Sequence, residues 1–193
     1  MMYKIFYWIF KWHKWSFKNG LPKDMKKCVL VAAPHTSNWD YVYAMASFYQ
    51  MGVPVKYTIK KEWYKFPFNL FFNKYGGIPI DRKPAPGSAK GKLSTVDAMV
   101  NLIKDNKEMI VLVTPEGTRK KRERWKTGFY HVALNAGVPI AMAYIDYSKK
   151  ECGIDAEIIY PTGNKEADLK KIMDFYRTKT PKFPELFSVD LSY

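Results

Sequence analysis

Five consecutive apolar residues, Met-Ile-Val-Leu-Val at 109–113, set the tightest limit on what this chain can fold into. A run that short and unbroken, rather than alternating, reads as a strand covered on both faces. Such a strand needs helices on either side of a sheet. The rest of the chain supplies them by alternating short apolar runs with longer helical stretches. Strand candidates lie at 28–33, 55–59, 78–80, 109–113, 140–147 and 156–160. Helical candidates lie at 38–51, 62–73, 88–106, 128–136 and 166–177. This alternation predicts an α/β domain with a mostly parallel central sheet flanked by helices. At 193 residues the chain suits a single domain with a sizeable core. The segment Arg-Lys-Pro-Ala-Pro-Gly-Ser at 82–88 reads as a loop rather than a boundary.

In open α/β sheets, ligands gather beyond the carboxyl ends of the strands. Three polar clusters are expected there: His-Thr-Ser-Asn-Trp-Asp at 35–40, Gly-Gly-Ile-Pro-Ile-Asp-Arg at 76–82 and Thr-Pro-Glu-Gly-Thr-Arg at 114–119. Together they suggest one shared site. His35 and Asp40 are five residues apart, about 500° around a continuous helix, so within one helix they would point well apart. They meet only if His35 lies in a turn and Asp40 in the first turn of the following helix. Pro34 opposes a helix before His35, and Ser37 with Asp40 three residues on is a variant of the N-terminal capping signature. A His held by an Asp at a strand end can take a proton from a hydroxyl. The plainer alternative is a surface His beside a helix cap.

A protein nucleophile is harder to find. Cys28 and Cys152 lie in or beside apolar runs, as small core residues do. They form no disulfide framework or metal-ligand spacing, which fits a reducing compartment. Ser37 is accounted for as a cap. A base without a protein nucleophile points to activation of a substrate hydroxyl and direct attack on a bound electrophile. Arg82 and Arg119 can pair with an anionic group through the guanidinium fork, or else form an ordinary salt bridge and a solvated turn. Glu116 can accept a hydrogen bond from a hydroxylated acceptor, and Gly117 lets ligand approach the backbone. The run Lys-Lys-Arg-Glu-Arg at 120–124 reads first as a solvated face.

The net charge of +14 implies an anionic partner. Residues 3–17 are crowded with Tyr, Phe, Trp and Ile, while Lys4, Lys11, Lys14 and Lys18 fall within a helical arc of roughly 80°. This predicts an amphipathic membrane-interface helix over 1–20, in the cytoplasmic leaflet, ahead of a catalytic domain at 21–193. The competing reading is a helix packed on the domain. A second aromatic cluster, 63–72, reads as a core helix broken at Pro67. No stretch of about 18 apolar residues appears, so no standard transmembrane helix is expected, and the N-terminus resembles a signal peptide only superficially.

Taken together, these residues resemble the glycerolipid acyltransferase family, of the lysophosphatidic acid acyltransferase type. His35 to Asp40 is similar to its H-x4-D motif, and Gly76 to Arg82 to its G-x-x-x-I-x-R motif. Pro115-Glu116-Gly117-Thr118-Arg119 is similar to its P-E-G-T-R motif, and Val138-Pro139-Ile140 to the V-P-I of its fourth. The order of all four is specific where any one alone is weak. The resemblance implies transfer of a fatty acyl group from acyl-CoA or acyl-carrier protein to the free hydroxyl of a lysolipid such as 1-acylglycerol-3-phosphate. It implies His35 as general base and Asp40 as its partner. Arg82 would bind the acceptor's phosphate, with Glu116, Gly117, Thr118 and Arg119 placing the acceptor and the developing charge. No metal or cofactor is implied. Pro34 stands where many members have Asn, Thr114 where Phe is common, and Ala141-Met142-Ala143 where a second proline is usual. These departures leave a lyso-aminolipid acceptor open. From a different class, a nonenzymatic protein binding anionic membranes also suits the charge and aromatics; no pattern supports nucleic-acid binding.

Overall fold

The computed structural model describes residues 2–60, 64–80 and 95–193. Its centre is a seven-stranded sheet made of β1 (Ser16–Lys18), β2 (Lys27–Ala33), β3 (Val55–Lys60), β4 (Gly77–Ile80), β5 (Met109–Val113), β6 (Ile140–Asp146) and β7 (Glu151–Ile154). The spatial order is β1-β7-β6-β2-β5-β3-β4, and every pairing is parallel except β6 with β7. The mostly parallel α/β sheet expected from the apolar runs is therefore present.

The helices are α1 (Met2–Trp12), α2 (Asn38–Gln50), α3 (Phe68–Lys74), α4 (Thr95–Asp105), α5 (Gly128–Ala136) and α6 (Lys165–Arg177), with a short 3-10 helix at Pro184–Leu186. One core joins Val29, Val31 and Ala33 of β2 to Ile103 of α4, Tyr130 of α5 and Leu169 and Ile172 of α6. A second joins Cys28 and Leu30 to Met45 and Phe48 of α2, and a third gathers Phe10, Trp15, Tyr43 and Ile145. The pleat sends alternate β2 residues to opposite cores, which is why this strand reads as unbroken apolar sequence. Beneath its carboxyl end, the buried Tyr176 hydroxyl shares its one hydrogen between the carbonyls of Val31 (2.8 Å) and Ala143 (2.9 Å), tying β2 to β6 where the site begins.

Several expectations need correction. The N-terminal helix expected over 1–20 ends at Trp12, so Lys14, at φ 60°, and Lys18, in β1 and paired with Glu151, are not on it. Trp15 is buried and stacks on Tyr43 at 4.3 Å. The helix also packs on the domain: Phe10 is buried, and Tyr3 stacks on Tyr49 of α2 at 5.0 Å. Its outer face still carries Ile5, Trp8 and Trp12, with Trp12 82% exposed. These three lie within an arc of roughly 60°, bordered on one side by Lys4 and Lys11. The helix is thus two-sided, aromatic toward the domain and tryptophan-rich toward solvent.

The second aromatic segment is not a core helix. Its described helix is only Phe68–Lys74, and Phe66, Phe68 and Leu70 are exposed. Trp63 lies outside the described residues. The strand expected at 156–160 is reduced to a single bridge between Ile159 and Ile140. Strands β1 and β7 were not anticipated. No helix among the described residues is long and apolar enough to cross a membrane.

Candidate active site

Strand order brings two of the three polar clusters together. β2 and β5 are neighbours in register, with Val31 opposite Val113, so the loops leaving their carboxyl ends emerge side by side. Four residues on from Val31 is His35, and three on from Val113 is Glu116. The His35 backbone N–H donates to Glu116 Oε1 at 3.1 Å. The third cluster runs into β4, at the sheet edge beyond β3 and β5. Arg82 lies outside the described residues.

Between β2 and α2 the chain makes the turn that the sequence suggests. Ser37 is the N-cap of α2, in extended conformation, and its Oγ accepts from Trp39 N. Asp40, at the third helical position, returns a carboxylate oxygen to the cap and completes a capping box. That oxygen, Oδ2, accepts from both Thr36 N and Ser37 N at 2.7 Å and lies 3.5 Å from His35 Nδ1. The same Asp40 oxygen therefore starts the helix and faces the imidazole. Its other oxygen, Oδ1, accepts a 2.6 Å hydrogen bond from the Tyr147 hydroxyl. With Nδ1 turned toward Asp40, Nε2 is the nitrogen left for a substrate.

Glu116 is buried, and Oε2 has no hydrogen-bond partner among the described residues. Burial, with a smaller contribution from the nearby Asp40 charge, pushes its carboxyl up to about 8 against the opposing His35 N–H bond. It is therefore mostly protonated at neutral pH and can donate as well as accept. Gly117 follows at φ 66°, a left-handed conformation that favours glycine. A Cβ there would fall 2.9 Å from Lys126 Nζ, so the missing side chain is what lets the ammonium lie over the turn. Thr118 Oγ1 accepts from Lys120 N within the same turn, and Arg119 is exposed to solvent.

A cavity of about 530 Å³ opens beside these groups. His35, Asp40, Gly117 and Lys126 supply polar wall, while Ala44, Met45, Phe48 and Leu112 supply apolar wall. That combination suits a long apolar chain with a polar reacting end. The two cysteines are no candidates for attack, because both are buried and burial pushes the thiols up, that of Cys28 to about 12.

A family model described as acyltransferase matches residues 15–146. The chain belongs to the acyltransferase family. It is 36% identical over 114 residues to the 1-acyl-sn-glycerol-3-phosphate acyltransferases of Salmonella typhimurium and Salmonella typhi. Those alignments span 56% of this chain but only 42% of each relative, so under half of each relative's length is matched. The fold is similar to the crystal structure of the 1-acyl-sn-glycerophosphate acyltransferase of Thermotoga maritima. That match has a TM-score of 0.60 at 17% identity and covers 94% of this chain and 80% of the other.

For a member of the acyltransferase family, two site residues escaped the sequence. Lys126 precedes Thr127 and Gly128 at the start of α5, and a lysine just ahead of a helix beyond a strand's carboxyl end was a usable signal. Tyr147 follows β6, 107 positions from Asp40, and becomes visible only once β6 is known to neighbour β2.

Proposed function

We propose that this protein moves a fatty acyl group from an acyl thioester, acyl-carrier protein or acyl-CoA, to the free hydroxyl of a lysolipid such as 1-acylglycerol-3-phosphate. The observation that carries the reading is the pairing of His35 with Asp40 on the wall of a largely apolar cavity, with Glu116 bonded behind the His35 backbone and no reactive thiol beside them. His35 Nε2 takes the hydroxyl proton as the acceptor oxygen attacks the thioester carbonyl. Asp40 stabilises the imidazolium that forms. The tetrahedral oxyanion collapses, the carbon–sulfur bond breaks, and the departing thiolate takes the proton back from His35. The neutral Glu116 carboxyl has a hydrogen to offer an acceptor oxygen, and Lys126 a positive charge for phosphate or oxyanion. Arg82 and the exposed Arg119 are the further cations we assign to the acceptor's phosphate, with Thr118 next to Arg119 in its turn. No metal or cofactor is required by this chemistry.

The acceptor resides in an anionic bilayer, at its cytoplasmic face, and Ile5, Trp8 and Trp12 with Lys4 and Lys11 form the surface that meets it. Trp39 and Phe183 extend that surface toward the site, with Lys182 5.4 Å from the Trp39 ring centre. The test is transfer to vesicles of anionic phospholipid carrying either 1-acylglycerol-3-phosphate or a lyso-aminolipid, with each donor in turn and the product read by mass spectrometry. The phosphate-bearing acceptor should be acylated. Trp8→Ser with Trp12→Ser should lower vesicle association and transfer together, by about tenfold. Vesicle binding without product from any acceptor would favour the nonenzymatic membrane-binding reading.

A further inference from the structure

We propose that Tyr147 is a positioning residue for the His35–Asp40 couple, orienting the Asp40 carboxylate through its phenolic hydrogen and holding down the basicity of His35. The inference rests on the acyl-transfer reading for its catalytic meaning, but not for its geometry. A carboxylate has about four lone-pair directions to satisfy. At Asp40, Oδ2 already takes two backbone N–H bonds at 2.7 Å, which leaves its contact with His35 Nδ1 at a longer 3.5 Å. Oδ1 is taken by the 2.6 Å bond from Tyr147. The carboxylate is pinned at both oxygens, so only Oδ2 can face the imidazole.

The phenol can serve only as donor here. Burial, then the bond to Asp40, push the Tyr147 hydroxyl far above its usual range, so it keeps its hydrogen wherever His35 titrates. Its place is fixed by its backbone and by one stacked aromatic pair. The backbone N–H of Tyr147 donates to Thr180 O, and its ring stands edge-on against the Trp15–Tyr43 stack, 4.9 Å from Trp15 and 6.1 Å from Tyr43 of α2. Each contact belongs to the ring or backbone and survives loss of the hydroxyl.

The consequence for His35 follows from charge. A donor on Oδ1 draws negative charge from the carboxylate, so Asp40 stabilises the imidazolium less than a free carboxylate would. Removing that donor would therefore strengthen the pairing of Asp40 with the imidazolium. Other groups around the couple are Glu116 at the His35 backbone, Lys126 on the cavity wall, and Tyr43 and Cys152 behind Asp40. Lys182 stands over the exposed Trp39 ring at 5.4 Å. None of these changes when the Tyr147 hydroxyl is removed.

The experiment is a titration of His35 by NMR in the full chain with labelled histidine, its resonance assigned against His13 and His131 by His35→Gln. Tyr147→Phe should raise the His35 pKa by about half a unit to one unit. Replacing Tyr147 by 3-fluorotyrosine, a stronger donor of nearly the same shape, should lower it. In the transfer assay the acid limb of the kcat/KM profile should move with the titration, and kcat in Tyr147→Phe should fall by about tenfold with KM little changed. An unmoved His35 titration in both variants would overturn the proposal, whatever happened to stability. A titration that shifts as stated in a protein with no transfer activity would uphold the hydrogen-bond role and sink the acyl-transfer reading instead.

Discussion

His35→Ala should reduce acyl transfer by about 10³–10⁴-fold while leaving the protein folded. The loss is large because no other group among the described residues is placed to take the hydroxyl proton: burial raises the Glu116 carboxyl to about 8, and Asp40 is held by three donors. Folding is spared because the structural contact of His35 is its backbone N–H to Glu116 Oε1, which alanine keeps. The imidazole itself is partly exposed at the cavity wall, so its removal leaves no sealed void. Transfer should be measured as turnover of labelled thioester, and folding by circular dichroism and a urea transition. Parent-like turnover in a folded variant would show that the base lies elsewhere.

Asp40→Ala should damage stability and turnover together. One side chain caps α2, closes the turn around Thr36 and Ser37, and receives the Tyr147 hydroxyl. Loss of the cap costs about 1 kcal/mol. The buried donors left without an acceptor add about 1–3 kcal/mol, so a total near 3 kcal/mol is expected. The urea midpoint reads this directly, with an unchanged slope if the unfolded state is unaffected. Asp40→Asn separates the two roles. Its amide oxygen can still accept the Thr36 and Ser37 N–H bonds, so most of the stability returns, but it carries no charge to stabilise the imidazolium. Turnover should remain about 10²–10⁴-fold down. Recovery of both in Asp40→Asn would mean that Asp40 is a cap and nothing more.

These two residues were also the most legible part of the site. Ser37 and Asp40 signalled a cap, and the cap alone forces His35 into the turn, so local chemistry sufficed. The contact between His35 and Glu116 was only an expectation of shared position, because it depends on β2 lying beside β5. Elements with a strong local signal were read closely. The helix expected at 128–136 is α5, ended by Gly137 at φ 67°, and the unbroken run at 109–113 is β5. Elements that lean on partners were not. β7, Glu-Cys-Gly-Ile, has little strand character of its own and is held between β6 and β1. Gly153 fits there because Lys18 O and the Tyr144 ring leave no room for a Cβ, at 2.4 and 2.8 Å. The N-terminal aromatics were read as one surface because sequence periodicity cannot say which face meets the domain. Packing on α2 claims Phe10, the turn after α1 buries Trp15, and Trp8 and Trp12 are left outside.

The central claim is that a substrate hydroxyl attacks the thioester directly, with no acyl group resting on the protein. Thiol release on mixing the protein with acyl thioester, with and without lysolipid, tests this most directly when the intact protein mass is recorded alongside. Direct attack should release one thiol per lysolipid acylated, release a negligible amount without acceptor, and leave the protein mass unchanged. A burst of thiol matching the protein concentration in the absence of acceptor, with a protein heavier by one acyl group, would contradict it.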